Sequence, residues 1–313
     1  MKRWIAWLCM LASGAAAAQE LHFASLPEAR EILSTRDEFV ARMSPFDRGA
    51  RMKTDRDVTE AQYLEFAASA ALEWTPAERD RFGAAFREIS PAIARLNLPL
   101  PQRIVLVKTS GQEEGNAAYT RGRAIMFPPA MLKAPDAQFR HLLAHEIFHV
   151  ATREAPAVAK ALYAAIGFTP CGELKLPPEL DARRITNPDA PRNDYCIDLT
   201  AGGQKVTAIP ILLASVARYD VAKGGEFFKY LQLRFIWVTT GGPSPIPVMG
   251  DGGPKLSELG ALSGYFEQVG RNTEYIIHPE EVLAENFALL VSGKSGKSPE
   301  VLARVEKALA SRQ

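Results

Sequence analysis

The stretch His145-Glu146-Ile147-Phe148-His149 decides how the rest of the chain is interpreted. In a helix, residues four apart lie on the same side, so His145 and His149 can bind one zinc ion together. Glu146 is displaced from His145 by about 100° around the helix, so its carboxylate can reach a water beside the metal. The stretch therefore predicts a helix that carries a two-histidine zinc site with an adjacent proton acceptor.

The neighbouring residues anchor this motif in a core. An apolar stripe at Leu143, Ile147 and Val150 predicts a helix over residues 137–154, with the stripe directed away from the two histidines. A metal site needs ligands that are held within fractions of an ångström, and a well-packed helix meets that need.

The rest of the chain predicts a mixture of helices and strands. Residues 104–108 read as a short strand, and residues 118–127 read as a second strand that is kinked at Gly122. Residues 169–260 contain many prolines and glycines, which predicts an irregular insertion or subdomain, with short β-like runs near residues 205–213 and 227–239. Further helices are expected over residues 27–44, 59–72, 76–96, 279–291 and 298–311.

The His-Glu-x-x-His pattern resembles the motif of the zincin metallopeptidases. In the metzincin branch the motif continues into a glycine and a third histidine. Here residues 150–155 read VATREA, so that branch is excluded. The resemblance then points to the gluzincin branch, in which a glutamate on a later helix is the third zinc ligand.

Residues 278–288, HPEEVLAENFA, supply such a helix. Their run E-x-x-A-E-x-F-A resembles the E-x-x-A-D-x-F-A helix of some gluzincins. The resemblance implies that Glu281 is the third zinc ligand. It also implies that Glu285 takes the place of the aspartate that orients a ligand histidine. The alternative ligands are Glu280, Glu173, Glu179 and Asp181.

The resemblance implies peptide hydrolysis, with Glu146 as the general base that takes a proton from water and delivers it to the leaving amine. The developing oxyanion needs a further donor. His278 is the leading candidate, because it lies three residues before Glu281. The alternatives are Tyr275, Arg271, Tyr265 and Tyr119.

Two further groups of residues are expected near the cleft. Asn116-Ala117 resembles thermolysin-like enzymes, in which an asparagine at this strand binds the substrate backbone. Asn116, Ala117 and Tyr119 are therefore candidate substrate-binding residues. His141 lies one turn before His145, and we expect it at the rim of the cleft or beside a ligand.

The N-terminus predicts export. Residues 1–18 have a basic start, a short apolar run and small residues, which is the order of a secretory signal peptide. Cleavage after Ala18 leaves a net charge of −1 and no long apolar segment, so we expect neither a nucleic-acid partner nor a stable membrane span. In an oxidising compartment Cys171 and Cys196 are expected to form a disulfide; the alternative is two buried free thiols.

These observations predict an α+β protein with a zincin-like catalytic domain over residues 19–313, N-terminal helices, a small sheet before the motif helix and the insertion 169–260. The main functional hypothesis is a periplasmic or secreted zinc peptidase that acts on peptides or proteins. One alternative is a catalytically inactive zincin-fold protein with a binding or assembly role. A hydrolase of non-peptide amides is another, because the metal chemistry would be the same.

Overall fold

The computed structural model describes residues 19–310 and has an α+β fold, as the sequence predicts. The predicted signal peptide, residues 1–18, lies outside the described residues, and so does the expected end of the last helix at Ser311. No helix within residues 19–310 is long and apolar enough to cross a membrane.

The helices alternate with strands over the first half of the chain, and strands dominate between α8 and α9. The α-helices are α1 (Leu26–Ser34), α2 (Glu38–Arg42), α3 (Pro45–Arg51), α4 (Glu60–Ser69), α5 (Pro76–Arg95), α6 (Asp136–Glu154), α7 (Pro156–Ala165), α8 (Pro178–Asp181), α9 (Tyr265–Val269), α10 (Pro279–Ser292) and α11 (Pro299–Ala310). The strands are β1 (Glu20–Phe23), β2 (Ala71–Leu72), β3 (Arg103–Thr109), β4 (Tyr119–Arg121), β5 (Ala124–Phe127), β6 (Phe168–Pro170), β7 (Tyr195–Ala201), β8 (Gln204–Ala214), β9 (Leu231–Thr239), β10 (Ile246–Pro247), β11 (Met249–Gly250), β12 (Gly253–Pro254), β13 (Leu256–Ser257) and β14 (Leu262–Ser263).

The first sheet lies next to the motif helix and has the order β1-β3-β5-β4, with β2 paired to β3. Strands β1, β3 and β5 run parallel, and β4 is antiparallel to β5 at the edge of the sheet. The predicted single strand over residues 118–127 is therefore wrong: the chain reverses at Gly122, whose positive φ of 55° allows a tight turn. This hairpin makes β4 an edge strand.

Helices α5, α6 and α10 pack together against this sheet in the largest apolar core. The predicted stripe on α6, Leu143, Ile147 and Val150, is fully buried. Helix α5 begins where the sequence predicts, because Thr75 caps it and Glu78 completes a reciprocal capping box. The packing of α10 on α6 brings the two sequence motifs together.

The second sheet confirms the strands expected near residues 205–213 and 227–239 and shows more regular pairing around them than the sequence predicts. Residues 169–260 contain the long antiparallel strands β7, β8 and β9, and β6, β10, β13 and β14 extend this sheet. The prolines and glycines lie mainly in the loops, whereas β8 is a nearly continuous buried run. The predicted disulfide between Cys171 and Cys196 is formed and links the start of this region to β7.

The predicted N-terminal helix over residues 27–44 is also interrupted, and the cause is a tertiary contact. The Arg121 guanidinium of β4 donates to the carbonyl oxygens of Leu33 and Thr35 and to the carboxylate of Asp37. These bonds satisfy backbone groups at the end of α1, and Asp37 then caps α2. Helix α7, which the sequence pattern did not reveal, follows α6 directly.

Candidate functional site

Helices α6 and α10 bring together three buried side chains that could bind a metal ion. One ligand atom each of His145, His149 and Glu281 lies within 4.8 Å of the others. The Oε2 atom of Glu281 is 3.1 Å from Nε2 of His145 and 3.5 Å from Nε2 of His149. We call these three residues the His145 cluster. Two imidazole nitrogens and a carboxylate oxygen that converge in this way form a candidate metal site.

The Nδ1 atom of each histidine, which we call its outer nitrogen, contacts another carboxylate of α10. Nδ1 of His145 is 3.0 Å from Oε1 of Glu285, and Nδ1 of His149 is 3.1 Å from Oε1 of Glu280. These contacts fix the ring orientations and leave the Nε2 atoms to face Glu281. Nε2 of His149 is buried and makes no hydrogen bond. The cluster therefore keeps one ring nitrogen without a hydrogen-bond partner.

Each outer carboxylate is itself bound by a further polar residue. Glu285 also contacts Nε2 of His141 at 3.1 Å, which places His141 beside the cluster, as its spacing predicts. Glu280 accepts hydrogen bonds from Thr152 at 2.5 Å and Tyr163 at 2.7 Å. The sequence left Glu280 as an alternative metal ligand, but in this arrangement its carboxylate is occupied by these partners and by His149.

Electrostatics within the cluster favour opposite charges. Burial opposes the charged form of His145, but hydrogen bonds to Glu281 and Glu285 raise its pKa to about 10. Burial is likewise outweighed at Glu281, where His149 and His145 hold the carboxyl pKa well below its usual range. The carboxylates thus attract positive charge into the cluster, and a divalent cation would replace the protons of the histidines.

Glu146 lies beside the cluster. Burial raises the pKa of its carboxyl group. Its Oε2 atom accepts a hydrogen bond of 2.9 Å from the Thr120 hydroxyl, which ties it to β4. A second set of converging ligand atoms, from Glu146, His149 and Asp189, also lies within 4.8 Å. The predicted general base is therefore adjacent to one histidine of the cluster and to an acidic residue that sequence reasoning missed.

Two residues of the loop between α8 and β7 contact the site, although no sequence pattern predicts this. Asn187 donates a hydrogen bond of 2.6 Å to Oε1 of Glu281. The carboxylate of Asp189 accepts a hydrogen bond of 2.6 Å from the backbone N–H of Thr120. Both residues lie in a Pro-rich stretch about forty positions after the motif, and no spacing rule links them to it. Burial raises the pKa of Asp189 well above its usual range.

His278 does not contribute a ring nitrogen to the His145 cluster. Its Nδ1 atom accepts a hydrogen bond from the Glu280 backbone and caps α10, and its Nε2 atom is 3.3 Å from the carbonyl oxygen of Arg192. Both ring nitrogens are used, so this geometry gives no support to the predicted oxyanion role of His278. Tyr275, one of the alternatives, lies beside the cluster, with its ring centre 6.4 Å from the ring centre of His145.

The remaining predicted residues lie outside the His145 cluster. Ala117 borders a small cavity that Tyr275 also lines. Asn116 is exposed in the turn before β4, at a positive φ of 65°. The hydroxyl of Tyr119 points into the core and donates to Glu113. The residues that contribute no ligand atom to the converging groups, and that have other partners or are exposed, are Glu173, Glu179, Asp181, Tyr265 and Arg271.

A family model described as the eCIS core domain matches residues 106–157, about one sixth of the chain. The matched residues run from β3 through the β4–β5 hairpin and α6 to the start of α7. They include His145, Glu146 and His149 but not α10. No curated protein and no solved structure matches the chain significantly.

Proposed function

We propose that the protein is a zinc-dependent peptidase whose metal is held by His145, His149 and Glu281. The observation that carries this proposal is the convergence of both Nε2 atoms on Oε2 of Glu281 while Nε2 of His149 makes no hydrogen bond. An orphaned buried nitrogen is costly unless something binds it. Zinc suits two imidazoles and one carboxylate, and it leaves a position for water and substrate.

Zinc, when bound, supplies a Lewis acid that polarises a carbonyl group and lowers the pKa of water. The chain supplies the proton transfers. Glu146 takes the proton of the attacking water and passes it to the leaving nitrogen. The Thr120 hydroxyl, at 2.9 Å from its Oε2 atom, holds the carboxylate in position. Burial raises the pKa of Glu146, which makes it a better proton acceptor.

Tyr275 is our candidate for the oxyanion donor. Tyr275 is 40% exposed, but desolvation of its phenol and the nearby carboxylates of Glu281, Asp189 and Glu146 raise its pKa above the usual range. The phenol therefore keeps its proton and can donate a hydrogen bond to developing negative charge. This assignment replaces His278 in the proposal, because both nitrogens of that ring have other partners.

Export to an oxidising compartment is the proposed setting. The disulfide between Cys171 and Cys196 is compatible with it. The proposed substrates are peptides or proteins, because the edge strand β4 borders the motif helix and can pair with an extended chain.

The first experiment measures zinc per molecule of purified protein, beside Glu281→Ala and the exposed control Glu306→Ala. We expect about one equivalent of zinc in the wild type and in the control, as a single closed site requires. Glu281→Ala should bind markedly less. Full zinc in Glu281→Ala would contradict the ligand set.

A second experiment separates catalysis from metal binding. Glu146→Gln should keep its zinc and lose peptide cleavage by on the order of 10²–10⁴-fold. The measurement is the rate of cleavage of a fluorogenic peptide library by zinc-loaded protein. Undiminished cleavage by Glu146→Gln would refute its role as the base.

A non-catalytic binding or assembly role is the second candidate function. It is favoured by one observation: residues of the chain itself, Asn187 and Asp189, contact the metal cluster and the edge strand. On this reading the protein binds zinc and cleaves no peptide, even in Asp189→Ala, which removes the contact to the edge strand. The same library assay on zinc-loaded Asp189→Ala distinguishes the two.

A further inference from the structure

In the edge strand β4, Thr120 is the residue whose backbone N–H and carbonyl oxygen are not bonded to the neighbouring strand β5. Thr120 is opposite Ile125 of β5, but its N–H donates to Asp189 and its carbonyl oxygen accepts from Arg153. In an antiparallel pair, a residue at a non-hydrogen-bonded position directs its N–H and its carbonyl oxygen away from the neighbouring strand. These are the groups that an added peptide strand would use, and in this structure they are taken by the chain itself.

Arg153 connects the edge strand to the loop that covers it. Its Nη2 atom donates to the carbonyl oxygen of Thr120 at 3.2 Å and to those of Pro188 and Asp189 at 2.8 Å each. Its other terminal nitrogen, Nη1, is buried and has no hydrogen-bond partner. No carboxylate pairs with this guanidinium at ion-pair distance among the described residues, so it serves backbone oxygens.

The segment Asn187–Pro191 runs through the site itself. Asn187 binds Oε1 of Glu281, and the Asp189 carboxylate lies near Glu146 and His149. A cavity of about 530 Å³ borders this segment, with Arg153 and Glu280 in its wall. A smaller cavity borders the segment together with Tyr275 and Ala117. The segment therefore lines both cavities and contacts the His145 cluster.

We propose that Asn187–Pro191 is an internal occupant of a peptide-binding cleft, with Thr120 and Arg153 as the residues that bind peptide backbone. Asp189 accepts the N–H of the edge strand and lies beside the His145 cluster. An external peptide gains access when this segment moves aside, and it then takes over the Thr120 and Arg153 contacts. This inference rests on the proposed function.

The ends of the segment explain why it stays in place. The disulfide between Cys171 and Cys196 closes the loop that contains it. Before the segment, the Thr186 backbone N–H donates to Asp47, and the Arg51 guanidinium donates to the Thr186 carbonyl oxygen. The central residues make polar contacts to the site, and Pro188 is buried beside them. Removing those contacts should free the segment while the ends remain fixed.

The test uses Asp189→Ala, with Asp251→Ala as a control in an exposed turn of the same region. The probe is a peptide hydroxamate, which binds zinc and pairs with an edge strand. Its affinity for zinc-loaded protein should rise on the order of tenfold or more in Asp189→Ala and stay unchanged in Asp251→Ala. Peptide cleavage should rise in parallel.

A second readout does not depend on activity. Hydrogen exchange of the peptide that contains β4 should be slow in the wild type and faster in Asp189→Ala, and hydroxamate should restore protection. If Asp189→Ala fails to fold, Asp189→Asn preserves the size of the side chain but replaces the carboxyl group by an amide, which is a weaker partner for the Thr120 N–H, so it should bind the probe more tightly than the wild type by a smaller factor.

Two negative results have different meanings. Equal hydroxamate affinity and equal β4 exchange in wild type and Asp189→Ala would overturn the internal-occupant proposal and leave the peptidase proposal standing. Failure of both proteins to bind zinc would overturn the peptidase proposal, and this inference with it.

Discussion

Two clusters of buried charge lie in this molecule, and they differ in completeness. The first is Arg51 with Asp47 and Glu114, which we call the Arg51 cluster. Arg51 donates to Asp47 at 2.7 Å and to both oxygens of Glu114 at 2.6 and 2.7 Å. Its guanidinium also lies 4.2 Å from the centre of the Phe227 ring. Every polar side-chain atom of these three residues is exposed or has a partner within the described structure.

The His145 cluster has the same ingredients and a different outcome. It too combines cationic and anionic groups in the interior, yet it leaves Nε2 of His149 without a hydrogen bond. A closed cluster has no capacity for a ligand and serves to fix the fold. An incomplete one points to a ligand site, because burying an unsatisfied polar atom has a cost that binding can offset.

The largest expected effect comes from opening the closed cluster. Arg51→Met should lower the free energy of unfolding by about 3–5 kcal/mol, because Asp47 and Glu114 would be buried without their cation. Urea denaturation gives the value. The control is Arg36, an exposed residue that forms an ion pair with Glu60. Arg36→Met should lower the free energy of unfolding by no more than about 1 kcal/mol. Equal losses in both variants would erase the distinction between the clusters.

Metal removal should have the next largest effect, and only through the open cluster. Chelation should lower the stability of zinc-loaded protein by about 3–4 kcal/mol, if free zinc had been at 100–1,000 times its dissociation constant. His149→Ala should show no response to the chelator in thermal unfolding. A chelator response that survives in His149→Ala would place the metal elsewhere.

Loss of an outer carboxylate should weaken the open cluster without destroying it. Glu285→Ala releases Nδ1 of His145 and the His141 ring. We expect zinc affinity to fall by about 10–100-fold, or about 1.4–2.7 kcal/mol. Competition with a chromogenic chelator measures this change. The exposed Glu306→Ala should match the wild type, and an unchanged Glu285→Ala would show that the histidine needs no such support.

The smallest effect concerns the pH dependence of the closed cluster. Burial raises the pKa of Glu114 to about 6, from 4.5 for the free group, although Arg51 opposes this. The folded state therefore binds this proton more tightly than the unfolded state. Its contribution to stability is present below pH 4.5 and is lost as the pH rises through 6.

The size of that loss is less than about 2 kcal/mol. Denaturation of wild type and Glu114→Gln between pH 4 and pH 7 isolates it, because the other titrating groups are shared. Glu114→Gln should lack this fall in stability, whatever its absolute value. Parallel pH profiles for the two proteins would refute the assignment.

Sequence reasoning succeeded where a local pattern carries the information. The capping residue Thr75 and the stripe on α6 predicted two helices with nearly correct bounds. In residues 169–260 it located β8 and most of β9 from their β-like runs, but it did not predict how these strands pair, because pairing joins residues far apart in the chain. It also missed the break after α1, which Arg121 stabilises from a strand far along the chain.

At the site, the sequence by itself determined the pairing of His145 with His149 and the placement of Glu146 beside them, since helical periodicity fixes neighbours one turn apart. The structure decided what no spacing encodes. It placed Glu281 at the histidines while Glu280 holds an outer nitrogen, left His278 outside the cluster, and brought Asp189 to the edge strand. Those outcomes depend on how distant elements pack, and packing is settled by the whole chain together.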